Sequence, residues 1–181
     1  MFSHTRLSSR MFFGMGTLML ALCCGTVSAE DPIKSKVDFS KAAVILPFES
    51  TVTSAAASEL PESTRTAVIA YLKEAGIFSA VLTPEEAKDK DKATLIEINA
   101  KLVDFGAGNM AARVMVGMGS GRAHAGYDFT IKDAATGDVV WEQHIKGVAS
   151  VWSNNSSSSA QRMELPERVA KSLVSILKKA K

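Results

Sequence analysis

The segment AHAGYDFTIKD, residues 123–133, alternates so strictly that it leaves the backbone one choice. Ala123, Ala125, Tyr127, Phe129 and Ile131 share one parity; His124, Asp128, Thr130 and Lys132 share the other. Side chains of a strand point to opposite faces in turn, so this is a strand with one face buried and one in water. A helix through the same residues would scatter the apolar groups around its circumference. DAATGD (133–138) supplies turn residues, with Gly137 suited to left-handed backbone, and DVVWEQHIKGV (138–148) returns as the second arm of a hairpin. Trp141 groups with Val139 and Ile145 as the core side of that arm. Upstream, TLIEINAKLVDF (94–105) alternates as well, with Ile96, Ile98, Ala100 and Leu102 against Glu97, Asn99 and Lys101. Three half-apolar strands need a cover on one side only.

Two amphipathic segments supply it. PESTRTAVIAYLKEAG (61–76) opens with Pro61 in the first turn, where a missing N–H costs nothing, and closes on Gly76 as a cap. Leu60, Thr64, Val68, Tyr71, Leu72 and Ala75 fall on one face. LPERVAKSLVSILKKAK (165–181) does the same with Leu165, Val169, Leu173, Ile176 and Leu177, and its terminal lysines suit the negative end of a helix. Glu59-Leu60-Pro61-Glu62 recurs as Glu164-Leu165-Pro166-Glu167, and each is expected to open its helix. KAAVILPFE (41–49) and IFSAVL (77–82) read as buried strands, and Thr83-Pro84-Glu85-Glu86 as a short helix start. The expected fold is α+β: a two-layer sandwich, one mixed or mostly antiparallel sheet with two main helices packed on one face.

The N-terminus carries a different signal. Arg6 and Arg10 precede an apolar run, Met11 to Gly25, and Val27-Ser28-Ala29 follows. As a helix the run would reach about 22 Å, short of the ~30 Å hydrocarbon core. Residues 1–29 are therefore expected to be a secretory signal peptide, cut after Ala29, with 30–40 a lead-in and 41–181 one domain containing a flexible Ser/Asn-rich loop at 153–161. The expected location is the periplasm or cell envelope. Cys23 and Cys24 both lie in the leader, and neither has the preceding residues of a good lipidation site. Membrane attachment is expected only if one of them carries a lipid or the leader is retained. Cleavage removes two of the 21 basic residues and none of the 19 acidic ones, leaving a balanced chain without cysteine. That argues against nucleic acid as a partner and excludes thiolate chemistry.

Candidate chemistry concentrates in GMGSGRAHAG (117–126). A dinucleotide loop needs a third glycine where Arg122 stands and a helix where a strand follows; a P-loop needs Gly-Lys-Ser/Thr. A nucleophile elbow needs glycines where Ser120 has Met118 and Arg122. His124 and His144 sit on opposite hairpin arms, offset by three residues or roughly 10 Å, too far for a shared metal. No catalytic residue, metal site or cofactor is therefore assigned. What remains is a loop, structural or interacting, built from Gly108, Arg113, Gly117, Gly119, Gly121 and Arg122. The glycines permit left-handed backbone and close packing, and the arginines can anchor carboxylates.

VILPFE, the following helix, and LIEINAKLVDFGAGNMAARVMVGMGSGRAHAGYDFTIKDAATGDVV together resemble the bacterial family catalogued as domain of unknown function 4410. Asp104-Phe105, Gly108, Arg113, Gly117-x-Gly119-x-Gly121-x-Ala123, Asp133 and Thr136-Gly137 carry the likeness. The resemblance implies a secreted or lipid-anchored envelope protein and supplies no catalytic residues. The expected function is a non-enzymatic binding or assembly module whose partner is another envelope protein or itself. The alternative is a small hydrolase or ligand-binding enzyme using the Gly117–His124 loop.

Overall fold

The computed structural model of the chain describes residues 37–109, 121–150 and 158–181. The leader with Ala29, Cys23 and Cys24, and the loop residues Arg113, Gly117, Gly119 and Ser120, lie outside the described residues.

The chain runs β1 (Ala42–Ile45), β2 (Glu49–Ser50), α1 (Leu60–Ala75), β3 (Val81–Leu82), α2 (Pro84–Ala87), β4 (Leu95–Gly106), β5 (His124–Asp133), β6 (Val139–Val148) and α3 (Ser158–Ala180), with short 3-10 turns before α1 and β4. It is an α+β fold with an open six-stranded mixed sheet in the order β3-β1-β4-β5-β6, and β2 also beside β4. β1, β2 and β3 join in parallel, while β4, β5 and β6 are antiparallel. β1 and β2 are one strand interrupted. Ile45 pairs with Ile98 and Glu49 with Lys101, so one residue is extra on the first strand. Pro47 occupies that break, where the ladder asks it for no N–H. The expected strand 77–82 shortens to Val81–Leu82, because Ile77 and Phe78 turn into the core and Phe78 stacks on Phe39, centroids 5.4 Å apart.

Both long helices lie on one side of the sheet. α1 buries Leu60, Thr64, Val68 and Leu72, one residue per turn, and ends on Gly76 at φ 57°, whose N–H returns to Leu72 O. α3 buries Leu165, Val169, Leu173 and Leu177. Between helices and sheet, Phe48, Tyr127 and Phe129 make the aromatic centre, with Phe48 edge-on to Phe129 at 5.7 Å. The Tyr127 hydroxyl meets Thr64 Oγ1 at 2.9 Å, and burial pushes the phenol up to about 12 despite that bond. On the opposite side, α2 covers only a small patch of Val44, Ala87 and Leu95. Its start is a capping box: Thr83 Oγ1 accepts from Glu86 N–H, and Thr83 N–H donates to Glu86 Oε2.

Two expectations fail at α3. The helix begins at Ser158, so residues 158–161 of the expected flexible loop are helical, and Pro166 sits inside the helix rather than opening it. The proline removes the bond that would close on the carbonyl of residue 162. The extra turns offset this by burying Gln161, 3% exposed, whose Oε1 accepts from Ala123 N–H at 3.2 Å. No described helix is long and apolar enough to cross a membrane.

Candidate functional site

The glycine segment leaves the sheet at the end of β4 and rejoins it before β5, and its two ends are clasped. Gly108 and Gly121 both have left-handed backbone, φ 82° and 64°. Asn109 N–H donates to Gly121 O at 2.8 Å, which ties exit to entry. A Cβ on Gly108 would stand 3.0 Å from Ala123 N, 3.2 Å from Gly121 O and 3.3 Å from Gln161 Oε1. Conformation and space therefore both demand glycine here. Arg122 is half-buried in the same clasp. α3 closes it from the helix side through Gln161, and through Glu164, whose Oε2 accepts from Ser150 N–H at 3.0 Å. Of the loop residues expected from sequence, Gly108, Gly121 and Arg122 thus come together.

A second cluster lies on the face of β4, β5 and β6 that no described helix covers, and the sequence reading missed it. Leu102 pairs with Tyr127 but Asp104 pairs with Gly126, so Val103 is a bulge. Beyond a bulge the parity of a strand inverts. Ile96 to Leu102 face the helices on even numbers, and then Phe105 faces them and Asp104 does not. The inversion delivers the Asp104 carboxylate to the open face. There Lys146 Nζ donates to its Oδ2 at 2.8 Å, and His124 Nε2 lies 3.4 Å from the same oxygen. The Lys146 bond holds the Asp104 carboxyl below the usual carboxylate range; desolvation works against this and His124 adds to it. One residue row further along, His144 Nδ1 and Asp128 Oδ1 are 2.7 Å apart.

Each histidine lies against a glycine on the neighbouring strand. The His124 ring occupies the space where a Gly106 side chain would stand. The His144 ring lies 2.9 Å from where a Gly126 Cβ would be, and Asp104 Cβ 3.1 Å from it. Missing side chains on β4 and β5 thus let the imidazoles lie flat across the sheet.

A second bulge corrects the hairpin. Ile131 pairs with Trp141 and Lys132 with Val139, leaving Val140 as the extra residue. Trp141 and Ile145 are core, but Val139 is turned out and 45% exposed, against the expected grouping. The same residue makes the histidine offset four rather than three, since His144 pairs with Asp128. That is about 13 Å along the strand. Among the described residues no three His, Cys, Asp or Glu gather as metal ligands. Chemically, the open face offers a flat row of matched charges.

Solved structures with the same fold include the PelC dodecamer from Paraburkholderia phytofirmans, 15% identical, with a TM-score of 0.50 over 74% of this chain and 89% of that one. Protein XCC0632 from Xanthomonas campestris, of family-model DUF330, is 10% identical, with a TM-score of 0.52 over 77% of this chain and 85% of its own. At such identities the likeness is one of fold. No curated protein matches the sequence. The family model for the Domain of unknown function (DUF4410) matches residues 27–147, more than half of the chain and spanning sheet, clasp and charged face alike, and the chain belongs to that family.

Proposed function

We propose that the chain is an exported, non-enzymatic module of the bacterial envelope that works by binding another envelope protein or further copies of itself. One observation carries this reading. The long helices cover one face of the sheet, and the other presents Asp104, His124, Lys146, Asp128 and His144 as a level, charge-matched row. A row of this kind suits electrostatic complementarity with a second surface. The leader pattern of residues 1–29 supports export. A fold neighbour assembles as a dodecamer, which supports assembly as the mode of action. Lipid tethering is a separate matter, decided by the N-terminal mass of the mature chain: cleavage after Ala29 removes Cys23 and Cys24. In-cell crosslinking with mass spectrometry tests the function. Adducts with an envelope-located protein or with the chain itself are expected, and recovery of the free chain alone sinks the reading.

The Asp104–His124 pair favours a second reading, in which His124 does acid–base work in a small hydrolase or ligand-binding enzyme. Lys146 holds the same carboxylate oxygen at the shorter distance, which orients Asp104 toward the lysine first. Replacing His124 and Ser120 by alanine separates the two. Loss of a phenotype with the fold intact supports the enzyme, and an unchanged phenotype excludes it.

A further inference from the structure

Among the described residues the sheet has two unequal edges: β3 is 2 residues long and β6 is 10. A long free edge presents unpaired backbone donors and acceptors to another strand. Ala149 N–H donates to Ala123 O at 2.9 Å, which marks this pair as hydrogen-bonded. Alternation along an antiparallel ladder then turns the N–H and C=O groups of Ile145 and Gln143 toward β5, and those of Glu142, His144 and Lys146 toward the edge. The side chains of these last three belong to the open, charged face.

We infer that the β6 edge pairs antiparallel with the β6 edge of a second copy, about a twofold axis through His144. The inference rests on the assembly reading above and names the partner and the surface. Paired residues in a continuous sheet share a face, so the axis passes through a residue and not between two. Charge then selects the residue. An axis at Glu142 or Lys146 sets two carboxylates or two ammonium groups together, whereas an axis at His144 sets two imidazoles together, each already beside its own Asp128. An axis at Ile145 sets His144 against Lys146, and one at Gln143 sets Glu142 against His144 but leaves Lys146 opposite Val140. Only an axis at His144 places Glu142 opposite Lys146, and symmetry makes that pair twice.

The charge row shows the same need from within one copy. His144 is matched by Asp128 and Lys146 by Asp104. Glu142 accepts a bond from Thr130 Oγ1 at 3.4 Å and has no ion pair among the described residues. A second copy supplies the missing cation and sets each Lys146 between two carboxylates. The bulge at Val140 ends the usable edge, so pairing runs from Trp141 to Gly147.

Charge reversal on the full chain tests this by light scattering and by co-purification of two differently tagged copies. The unaltered chain is expected to be at least dimeric. Glu142→Lys and Lys146→Glu are each expected to weaken self-association by about tenfold or more, because each turns two attractive pairs into two repulsive ones. Mixing the two variants recreates both attractive pairs, so a one-to-one heterodimer is expected. Its recovery also shows that both variants are folded. A monomeric unaltered chain overturns the inference, as do variants that still self-associate or a mixture that stays apart. Variants that associate unchanged leave the assembly function standing on another surface, whereas absence of any crosslinked partner removes the function as well.

Discussion

β4, β5 and β6 have two faces that follow different rules. On the helix side, Ile98, Leu102, Tyr127, Phe129 and Ile131 are at most 1% exposed, and every contact is made within the domain. On the other side, Asp104, Asp128, His144 and Lys146 keep roughly half their side-chain surface in water. Packing fixes the first face, and charge matching across strands fixes the second. Stability therefore resides on the helix side.

Substitutions can break this contrast, and the largest effect belongs to the buried face. Phe129→Ala removes a ring seated between Phe48 and Tyr127 and is expected to cost about 3–5 kcal/mol in denaturant unfolding. Gly108→Ala comes next, at about 1–3 kcal/mol, since it forces alanine into left-handed backbone against Ala123 N. Tyr127→Phe leaves the Thr64 hydroxyl buried without its partner and is expected to cost about 1–2 kcal/mol, measured in the same way. On the open face, Lys146→Ala is expected to change stability by less than about 1 kcal/mol, as exposed ion pairs do. A loss from Lys146→Ala as large as that from Phe129→Ala would erase the distinction between the faces.

The pH dependence sharpens the comparison from both ends. Tyr127 has its folded pKa raised to about 12, so its contribution is whole below the unfolded value, about 10, and is lost as pH climbs from there. Asp104 has its folded pKa lowered, so its contribution is present above the unfolded value of about 3.9 and is lost as pH falls through the folded one. Unfolding midpoints across pH are expected to fall at both extremes. Tyr127→Phe should remove part of the alkaline limb, and Asp104→Asn part of the acid limb.

Much of this fold was legible in the sequence. Parity placed the inward residues of β5, and proline, glycine and apolar spacing placed α1. Parity also misled, because it cannot register an inserted residue. The bulge at Val103 put Asp104 on the open face, and the one at Val140 turned Val139 out and moved the histidines to an offset of four. One signal was available: strict alternation would bury the Asp104 carboxylate with Leu102, and a lone buried charge is costly enough to imply a break in phase. α3 misled for another reason. Pro166 resembles a helix start, and the bond between Gln161 and Ala123, remote in sequence, helps to hold the turns before it. Of the candidate loop, the sequence named Gly108 and Gly121, which have left-handed backbone, while Gly117 and Gly119 lie outside the described residues. It was silent on His124 lying over Gly106 and His144 over Gly126, because those contacts depend on strand register.

On the proposed function, the sheet's open side and β6 edge meet a partner and the outer surface of the helix side does not. Site-specific photocrosslinking in cells tests it most directly, with the probe placed at Glu142 in one strain and at exposed Glu74 on α1 in another. Strong adducts from position 142, and few or none from position 74, are the expected result. Equal yields from both positions, or none from position 142, would contradict it.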